Sequence, residues 1–187
     1  LGEASWSNRI ELLATGSSGI LKGDLITMLK MIIDIELLPF RKLNIKSIVL
    51  HNSLSDMIAS LRLTKVVEFF YDYIKTKYEV RPAFCTLNTP ILINFLTEIG
   101  IVNPTIMAPL NPIGFQMNPS KSVVENTLKH NPTQLIAMST LASGYIKPSQ
   151  AYKYLSTLPY VDSVVVGGSS EAHLKEVFES ITYYNFL

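Results

Sequence analysis

Two segments of this 187-residue sequence combine residue types that could bind or transform a small molecule. His51 directly follows the apolar run Ser47–Leu50, where its ring could donate a hydrogen bond to a carbonyl or act as a general acid or base. Gly167–Ser170 stands between an apolar run and an acidic helix start, which is typical of an anion or phosphate site. The structural alternatives are a histidine satisfied by loop backbone and an ordinary tight turn with a serine cap.

Other reactive side chains are few. Cys85 lies within an apolar run and has no basic neighbour in sequence, which favours a buried structural thiol over a catalytic thiolate. No Cys/His cluster has the spacing of a zinc site, so no metal is predicted. His130 and His173 fall in or beside helical segments, where we expect them to face solvent. Acid–base chemistry would therefore depend chiefly on His51.

Short, nearly uncharged apolar runs alternate with longer segments that have helical periodicity, such as 63–74 and 174–181. The starts of the runs lie 23 to 36 residues apart, which is too far for hairpins and suits a strand, a crossover helix and a loop. Pro148 suits the first turn of a helix, and Ser170 before Glu171 suits an N-cap. The predicted strands are Ile10–Ala14, Lys46–Leu50, Pro82–Thr86, Thr105–Ala108, Gln134–Met138 and Asp162–Val166.

This alternation predicts an α/β fold with a parallel sheet, and the site of such a fold lies at the carboxyl ends of the strands. Both an open doubly wound sheet and a (β/α)8 TIM barrel would fit. A closed barrel has eight strands and typically about 250 residues, whereas about six β/α units are visible here. Because the chain starts at Leu1 rather than Met, we expect residues 1–187 to form a single TIM-barrel domain that lacks its first two units.

The composition excludes several classes of protein. The chain has 16 basic and 15 acidic residues, so a basic excess that would bind nucleic acid is absent. The mean hydropathy of +0.26 suggests a membrane protein, but the longest stretch without Asp, Glu, Lys or Arg, Ile99–Ser120, contains four prolines. A spanning helix does not tolerate such interruption, so we predict no membrane partner. One cysteine and no visible signal peptide favour a cytoplasmic location.

The order of these segments resembles that of the aldo-keto reductase superfamily, from about Leu13 to Ile181. Ser47–Asn52 resembles the fourth strand of that family, which ends in the catalytic histidine, and Pro82–Asn88 resembles the fifth strand. Asn111-Pro112 resembles the loop after the sixth strand. Ile136–Gly144 resembles the seventh strand and its loop, and Val164–Leu174 resembles the eighth strand and its turn.

The resemblance implies a barrel that binds NADP(H) across its strand ends and transfers hydride to or from a carbonyl. His51 would be the catalytic residue, the nicotinamide would lie near Thr86 and Asn88, and the pyrophosphate would lie near the turn after the eighth strand. The cofactor-binding residues that this implies are Thr86, Asn88, Ser139, Leu141, Gly144, Gly167, Gly168, Ser169 and Ser170.

The sequence also departs from the family pattern. Gly16 stands where the family has a catalytic lysine, Met107 where it has a glutamine, and Met138 where an aromatic residue stacks on nicotinamide. These departures support a second hypothesis, a catalytically degenerate relative that serves as a binding or scaffold protein. A third is a TIM-barrel lyase or isomerase that acts on a phosphorylated substrate and retains the anion site. The expected partner is a small molecule, either a carbonyl compound or a phosphorylated ligand.

Overall fold

The computed structural model describes residues 25–184 and has an α/β architecture. Strands and helices follow one another along the chain, with short 3-10 turns at Leu38–Phe40 and Ala142–Gly144. The strands are β1 (Ser47–Leu50), β2 (Arg81–Cys85), β3 (Thr105–Pro109), β4 (Gln134–Met138) and β5 (Ser163–Val164). The helices are α1 (Leu25–Glu36), α2 (Asn52–Ser60), α3 (Thr64–Lys77), α4 (Thr89–Glu98), α5 (Lys121–His130), α6 (Pro148–Leu155) and α7 (Glu171–Tyr183).

The five strands form one sheet in the order β1-β2-β3-β4-β5. The pairings of β2 with β3, β3 with β4 and β4 with β5 are parallel. Their register places Cys85 opposite Met107, Met107 opposite Ile136, and Ile136 opposite Ser163. Parallel strands in sequential order bring their carboxyl ends to one edge, as in part of a TIM barrel.

The strand sequences explain why these segments are extended. Phe84, Ile106, Leu135 and Ala137 are at most 1% exposed, and helices follow each of these strands along the chain. Most of the alternate positions, such as Ala83, Met107 and Ile136, are also apolar, so the runs lack the continuous polar face that would give an amphipathic period. A parallel sheet buried on both faces has this continuous apolar pattern.

The chain divides into two compact units, and in the first the described residues are 25–48 and Leu63–Pro82. Here α1 packs against α3 and buries Leu29 and Ile33. Asp34, at the end of the same helix face, is only 7% exposed and accepts hydrogen bonds from side chains of the α3 segment. The first unit therefore combines an apolar helix contact with a buried carboxylate.

The second unit comprises Val49–Arg62 and, among the described residues, 83–184. Within it α2 packs against α4, α4 against α5, and α6 against α7. Serine side chains cap two of its helices, since Ser120 accepts a hydrogen bond from the Val123 N–H and Ser170 accepts one from the His173 N–H. These caps fix the directions in which α5 and α7 leave the preceding loops.

The predicted α/β class and parallel sheet are confirmed, and the boundaries of four strands agree with the prediction to within one residue. Pro148 occupies the first turn of α6, as expected. The predicted strand Ile10–Ala14 and the Gly16 departure lie outside the described residues, and the single-domain assignment stays a prediction.

The prediction for the last strand was too long, because β5 covers only Ser163–Val164 rather than Asp162–Val166. Val165 still donates its N–H to Ala137 O at 2.9 Å, so the chain follows β4 for one more residue. Beyond it the backbone turns into Gly167 and Gly168, and Val165 is 46% exposed. The apolar residues of this segment therefore form both a short strand and the partly exposed rim that follows it.

No helix between residues 25 and 184 combines the length and apolar character that a membrane crossing requires.

Candidate functional site

A cavity of about 370 Å³ lies at the carboxyl ends of β4 and β5. This volume falls within the range of about 300–1,000 Å³ that is common for small-molecule sites. Two loops and two helices of the second unit form its walls. The lining residues are Ser139, Thr140, Leu141, Ser143, Gly144, Tyr152, Val165, Val166, Gly167, Gly168, Ser169 and His173.

The loop after β4 forms one wall and has a constrained backbone. Ser139, Ala142 and Ser143 have φ angles of 51°, 47° and 59°, which non-glycine residues rarely adopt. Gly144 follows with a φ of 87°. The buried Asn111 side chain supports the loop by donating from Nδ2 to Ser139 O at 3.2 Å. Backbone strain of this kind concentrates at functional sites, where the surrounding structure holds it in place.

The turn after β5 forms the facing wall and leads into α7. Ser170 does not line the cavity; its Oγ accepts the His173 N–H at 3.2 Å and so caps the helix. The remaining N–H groups of the first turn give this end of α7 a partial positive charge, which favours an anion. The Glu171 carboxylate lies in the same turn and offsets part of that charge. The arrangement favours a weakly charged group over a compact dianion.

The two glycines of this turn differ in how much space surrounds them. A Cβ on Gly168 would lie 2.6 Å from Leu174 Cγ, so the absence of a side chain lets the turn approach α7. A Cβ on Gly167 would meet nothing within 4 Å. The sequence places both glycines in a candidate anion site, and the contact with Leu174 shows that helix packing also requires Gly168.

Gly168→Ala is therefore expected to lower the free energy of unfolding by about 1–2 kcal/mol, because the new methyl group forces Leu174 or the turn to move. Gly167→Ala is the matched control and should have little effect on stability. Urea denaturation of the two variants measures the difference. Equal stabilities would show that the turn relaxes freely and that the Leu174 contact does not constrain it.

Tyr152 and His173 line the cavity although the sequence analysis assigned them no role. Tyr152 extends from α6 and is fully buried. Burial raises the pKa of its hydroxyl, and the Thr140 side chain opposes that effect. His173 was expected to face solvent, and the structure shows it half-buried in the cavity wall. Neither residue has a distinctive sequence pattern.

A second group of polar residues lies at the carboxyl ends of β1 and β2, outside the lining of this cavity. His51 is exposed and acts as the N-cap of α2, with Nδ1 accepting the Ser53 N–H at 3.3 Å. Thr86 is fully buried, and its hydroxyl accepts the Asn88 N–H at 2.8 Å. The predicted catalytic residue thus has an accessible ring, whereas Thr86 is enclosed by its own loop.

Asp56 organises the loop after β2 and was missed from the sequence. It extends from α2, and its two carboxylate oxygens accept hydrogen bonds from the Thr86 hydroxyl and from the Leu87 N–H, the latter at 3.0 Å. The Thr86 hydroxyl donates to Asp56 and accepts from Asn88, so it holds the loop in place. Asn88 begins α4, yet its side chain makes no capping hydrogen bond and its buried Oδ1 has no partner.

That unpartnered oxygen is a structural reason to expect a ligand. Asn88 Oδ1 can accept a hydrogen bond from an amide or another N–H donor, and leaving it unsatisfied costs free energy.

Cys85 is buried at the end of β2, and its Sγ lies 3.6 Å from Met138 Sδ. Burial raises the pKa of the Cys85 thiol, and the Asp56 charge adds to this, while a backbone hydrogen bond from Asn52 opposes it. A thiol with a raised pKa is a poor nucleophile at neutral pH, in agreement with the structural role expected for it.

Six of the ten predicted site residues line the cavity together, and the other four are His51, Thr86, Asn88 and Ser170. Their predicted roles in catalysis and cofactor binding stay predictions. Among the described residues no group of three His, Cys, Asp or Glu side chains could hold a metal ion.

No family model and no curated protein matches the chain. The fold is similar to the crystal structure of a Pseudomonas aeruginosa protein that has been assigned to the aldo-keto reductases, with a TM-score of 0.57 and 15% sequence identity. The match covers 75% of this chain and 51% of the solved one, so this chain spans about half the length of that structure. This likeness shows that the chain has a partial TIM-barrel-like fold similar to that of the assigned reductase.

Proposed function

We propose that the chain belongs to an aldo-keto-reductase-like (β/α)8 barrel that binds a nicotinamide dinucleotide, in the first instance NADP(H), and reduces carbonyl compounds. Strands β1 to β5 would correspond to the fourth to eighth strands of that barrel. The observation that carries the proposal is the cavity, because the two loops that the resemblance assigns to cofactor binding line it together. The similar fold of the assigned reductase supports the same conclusion.

The residues present fit such a cofactor. The loops 139–144 and 167–169 would hold the pyrophosphate, and Asn88 Oδ1 would accept a hydrogen bond from the nicotinamide carboxamide. The cofactor would supply the hydride. His51 would donate a hydrogen bond to the substrate carbonyl from Nε2, since its Nδ1 already accepts the Ser53 N–H.

Titration of the full chain with NADPH and NADH, followed by nicotinamide fluorescence, tests the proposal. We expect saturable binding within about 1 μM to 1 mM, the usual range of enzyme ligands. His51→Ala should retain cofactor binding but lose carbonyl reduction, whereas His130→Ala, an exposed histidine on α5, should retain both. If neither nucleotide binds in this range, the proposal is wrong.

Binding without turnover is the second candidate. It is favoured by the hydrogen bonds that the Asp56 carboxylate already accepts from the Thr86–Asn88 loop. In the described residues these bonds leave no carboxylate free at the ends of β1 and β2. In that case the dinucleotide would bind, and no carbonyl substrate would be reduced. The comparison of binding and turnover in the experiment above separates the two candidates.

A further inference from the structure

The loop that follows β3, residues 110–118, contacts both parts of the candidate site although none of its residues lines the cavity. At its start the Leu110 N–H donates to Met138 O, at the end of β4, at 3.0 Å. Near its end the Asn118 N–H donates to Leu87 O, in the loop after β2, at 3.3 Å. The loop therefore connects the polar residues at the end of β2 with the cavity wall after β4.

A fully buried asparagine fixes this loop to the cavity wall. Asn111 Nδ2 donates to Phe115 O at 2.9 Å and to Ser139 O at 3.2 Å, and Asn111 Oδ1 accepts the Phe115 N–H at 2.8 Å. Both hydrogens of the amide are used in this way. One side chain thus closes the turn 111–115 and holds it against Ser139, the first residue after β4.

Positive φ angles of non-glycine residues concentrate in the same two loops. Between residues 25 and 184 the residues with such angles are Arg62, Glu79, Asn103, Gln116, Ser139, Ala142 and Ser143. Arg62 and Glu79 each follow the C-cap of an α-helix, where this conformation is common, and asparagine tolerates it better than most residues. The other four lie in the loops after β3 and β4, where no α-helix ends. Strain that local structure does not explain is held by surrounding contacts and concentrates at functional sites.

Two of these strained residues, one from each loop, are joined by their side chains. The Ser139 hydroxyl donates to Gln116 Oε1 at 3.0 Å. Gln116 is exposed, so its side chain does not fill the core. We infer that the loop after β3 is a third element of the ligand site and that Gln116 is a positioning residue, which holds Ser139 and the wall 139–144 in the conformation that binds the ligand. The inference rests on the proposed function and adds to it a residue outside the cavity lining.

A double-mutant cycle of Gln116→Ala and Ser139→Ala tests the inference. The ligand is ADP-ribose, which lacks nicotinamide and therefore reports on the cavity rather than on Asn88, and its affinity for the full chain is measured by calorimetry. Gln116→Ala alone should weaken binding by about fivefold, because one hydrogen bond that holds the wall is lost. In the Ser139→Ala background the same change should have no further effect, because the contact is already broken. A role of Gln116 in general stability would not produce this dependence on Ser139.

Gln134→Ala is the matched control for the loss of such a contact. Gln134 Oε1 also accepts a hydrogen bond from a hydroxyl, that of Thr105 at 3.1 Å, and this bond joins β3 to β4 at their amino ends. The variant should lower the melting temperature at least as much as Gln116→Ala, since Gln134 is half-buried. Its affinity for ADP-ribose should equal that of wild type, because the lost contact lies at the opposite end of the strands from the cavity.

The outcomes distinguish the inference from the function on which it rests. If wild-type protein binds none of NADPH, NADH and ADP-ribose, both fail. If ADP-ribose binds wild type and Gln116→Ala equally, the inference is wrong and the proposed function stands. The inference is also overturned if Gln116→Ala weakens binding by the same factor with and without the Ser139 hydroxyl, or if Gln134→Ala weakens binding as much as Gln116→Ala does.

Discussion

Replacement of Asp34 by alanine is expected to lower the free energy of unfolding by about 3 kcal/mol at neutral pH. Asp34 is 7% exposed and accepts hydrogen bonds from Lys77 Nζ at 2.6 Å, from the Tyr73 hydroxyl at 2.7 Å and from the Tyr78 hydroxyl at 2.7 Å. The variant loses three hydrogen bonds to a charged acceptor and leaves two partly buried hydroxyls without it. These contacts join α1 to α3 and the residue after it, so they hold the described helices of the first unit together.

The pH dependence of this effect follows from the pKa of Asp34. Burial alone would raise this pKa, but hydrogen bonds from Lys77, Tyr78 and Tyr73 and the charge of Lys77 outweigh burial and hold it below its ordinary value of 3.8. A carboxyl whose pKa is lower in the folded state contributes its full stability above the unfolded pKa and loses it as the pH falls through the folded pKa. The stability difference between wild type and variant should therefore be constant above about pH 5 and shrink below about pH 4.

Urea denaturation across this pH range is the measurement. Lys175→Ala is the control, since it breaks an ion pair with Glu179 in which both side chains are largely exposed, and it should change stability little. An Asp34→Ala variant within about 0.5 kcal/mol of wild type at pH 7 would show that water replaces the lost contacts. A difference that persists unchanged at about pH 3 would contradict the lowered pKa.

The sequence predicted those parts of the fold that depend on local patterns. Apolar runs such as Gln134–Met138 are fully buried on one face and partly buried on the other, so they contain little polar alternation, which distinguishes them from the helical periodicity of 63–74. The Ser170 cap was also predictable, because a serine before an acidic first turn satisfies helix N–H groups locally. The turn at Gly167–Ser170 is likewise a local pattern, so the sequence alone indicates the turn but not its place in a cavity.

The parts that were missed depend on contacts between distant residues. Asp34 lies 39 to 44 positions from the tyrosines that bind it, and an acidic residue in a helix is ordinarily solvated. Nothing in the sequence near Tyr152 indicates that it lines a cavity, whereas Tyr154 two positions later donates a hydrogen bond to Glu125 outside that cavity. The sequence contains one weak indication of the role of Asp56, which is its position in the helix that follows the predicted catalytic histidine.

Replacement of Asp56 by alanine should weaken binding of NADH or NADPH by about thirtyfold, or about 2 kcal/mol. The carboxylate is the acceptor for the Thr86 hydroxyl and the Leu87 N–H, and the Thr86 hydroxyl in turn accepts the Asn88 N–H. Without Asp56 two donors lose their acceptor and the loop rearranges, so Asn88 Oδ1 is no longer held ready for the nicotinamide amide. Asp56 is a positioning residue, since it acts on the ligand only through Asn88.

Two comparisons separate this role from a general loss of stability. ADP-ribose lacks nicotinamide, so its affinity should be nearly unchanged in Asp56→Ala, whereas that of the complete dinucleotide should fall. Asp162→Ala is the matched control, because Asp162 Oδ2 also accepts a backbone N–H, from Leu135 at 2.7 Å, but at the amino ends of β4 and β5. It should cost stability and leave both ligands bound as in wild type. Equal weakening of ADP-ribose and dinucleotide by Asp56→Ala would instead mean that the carboxylate supports the fold and not the position of Asn88.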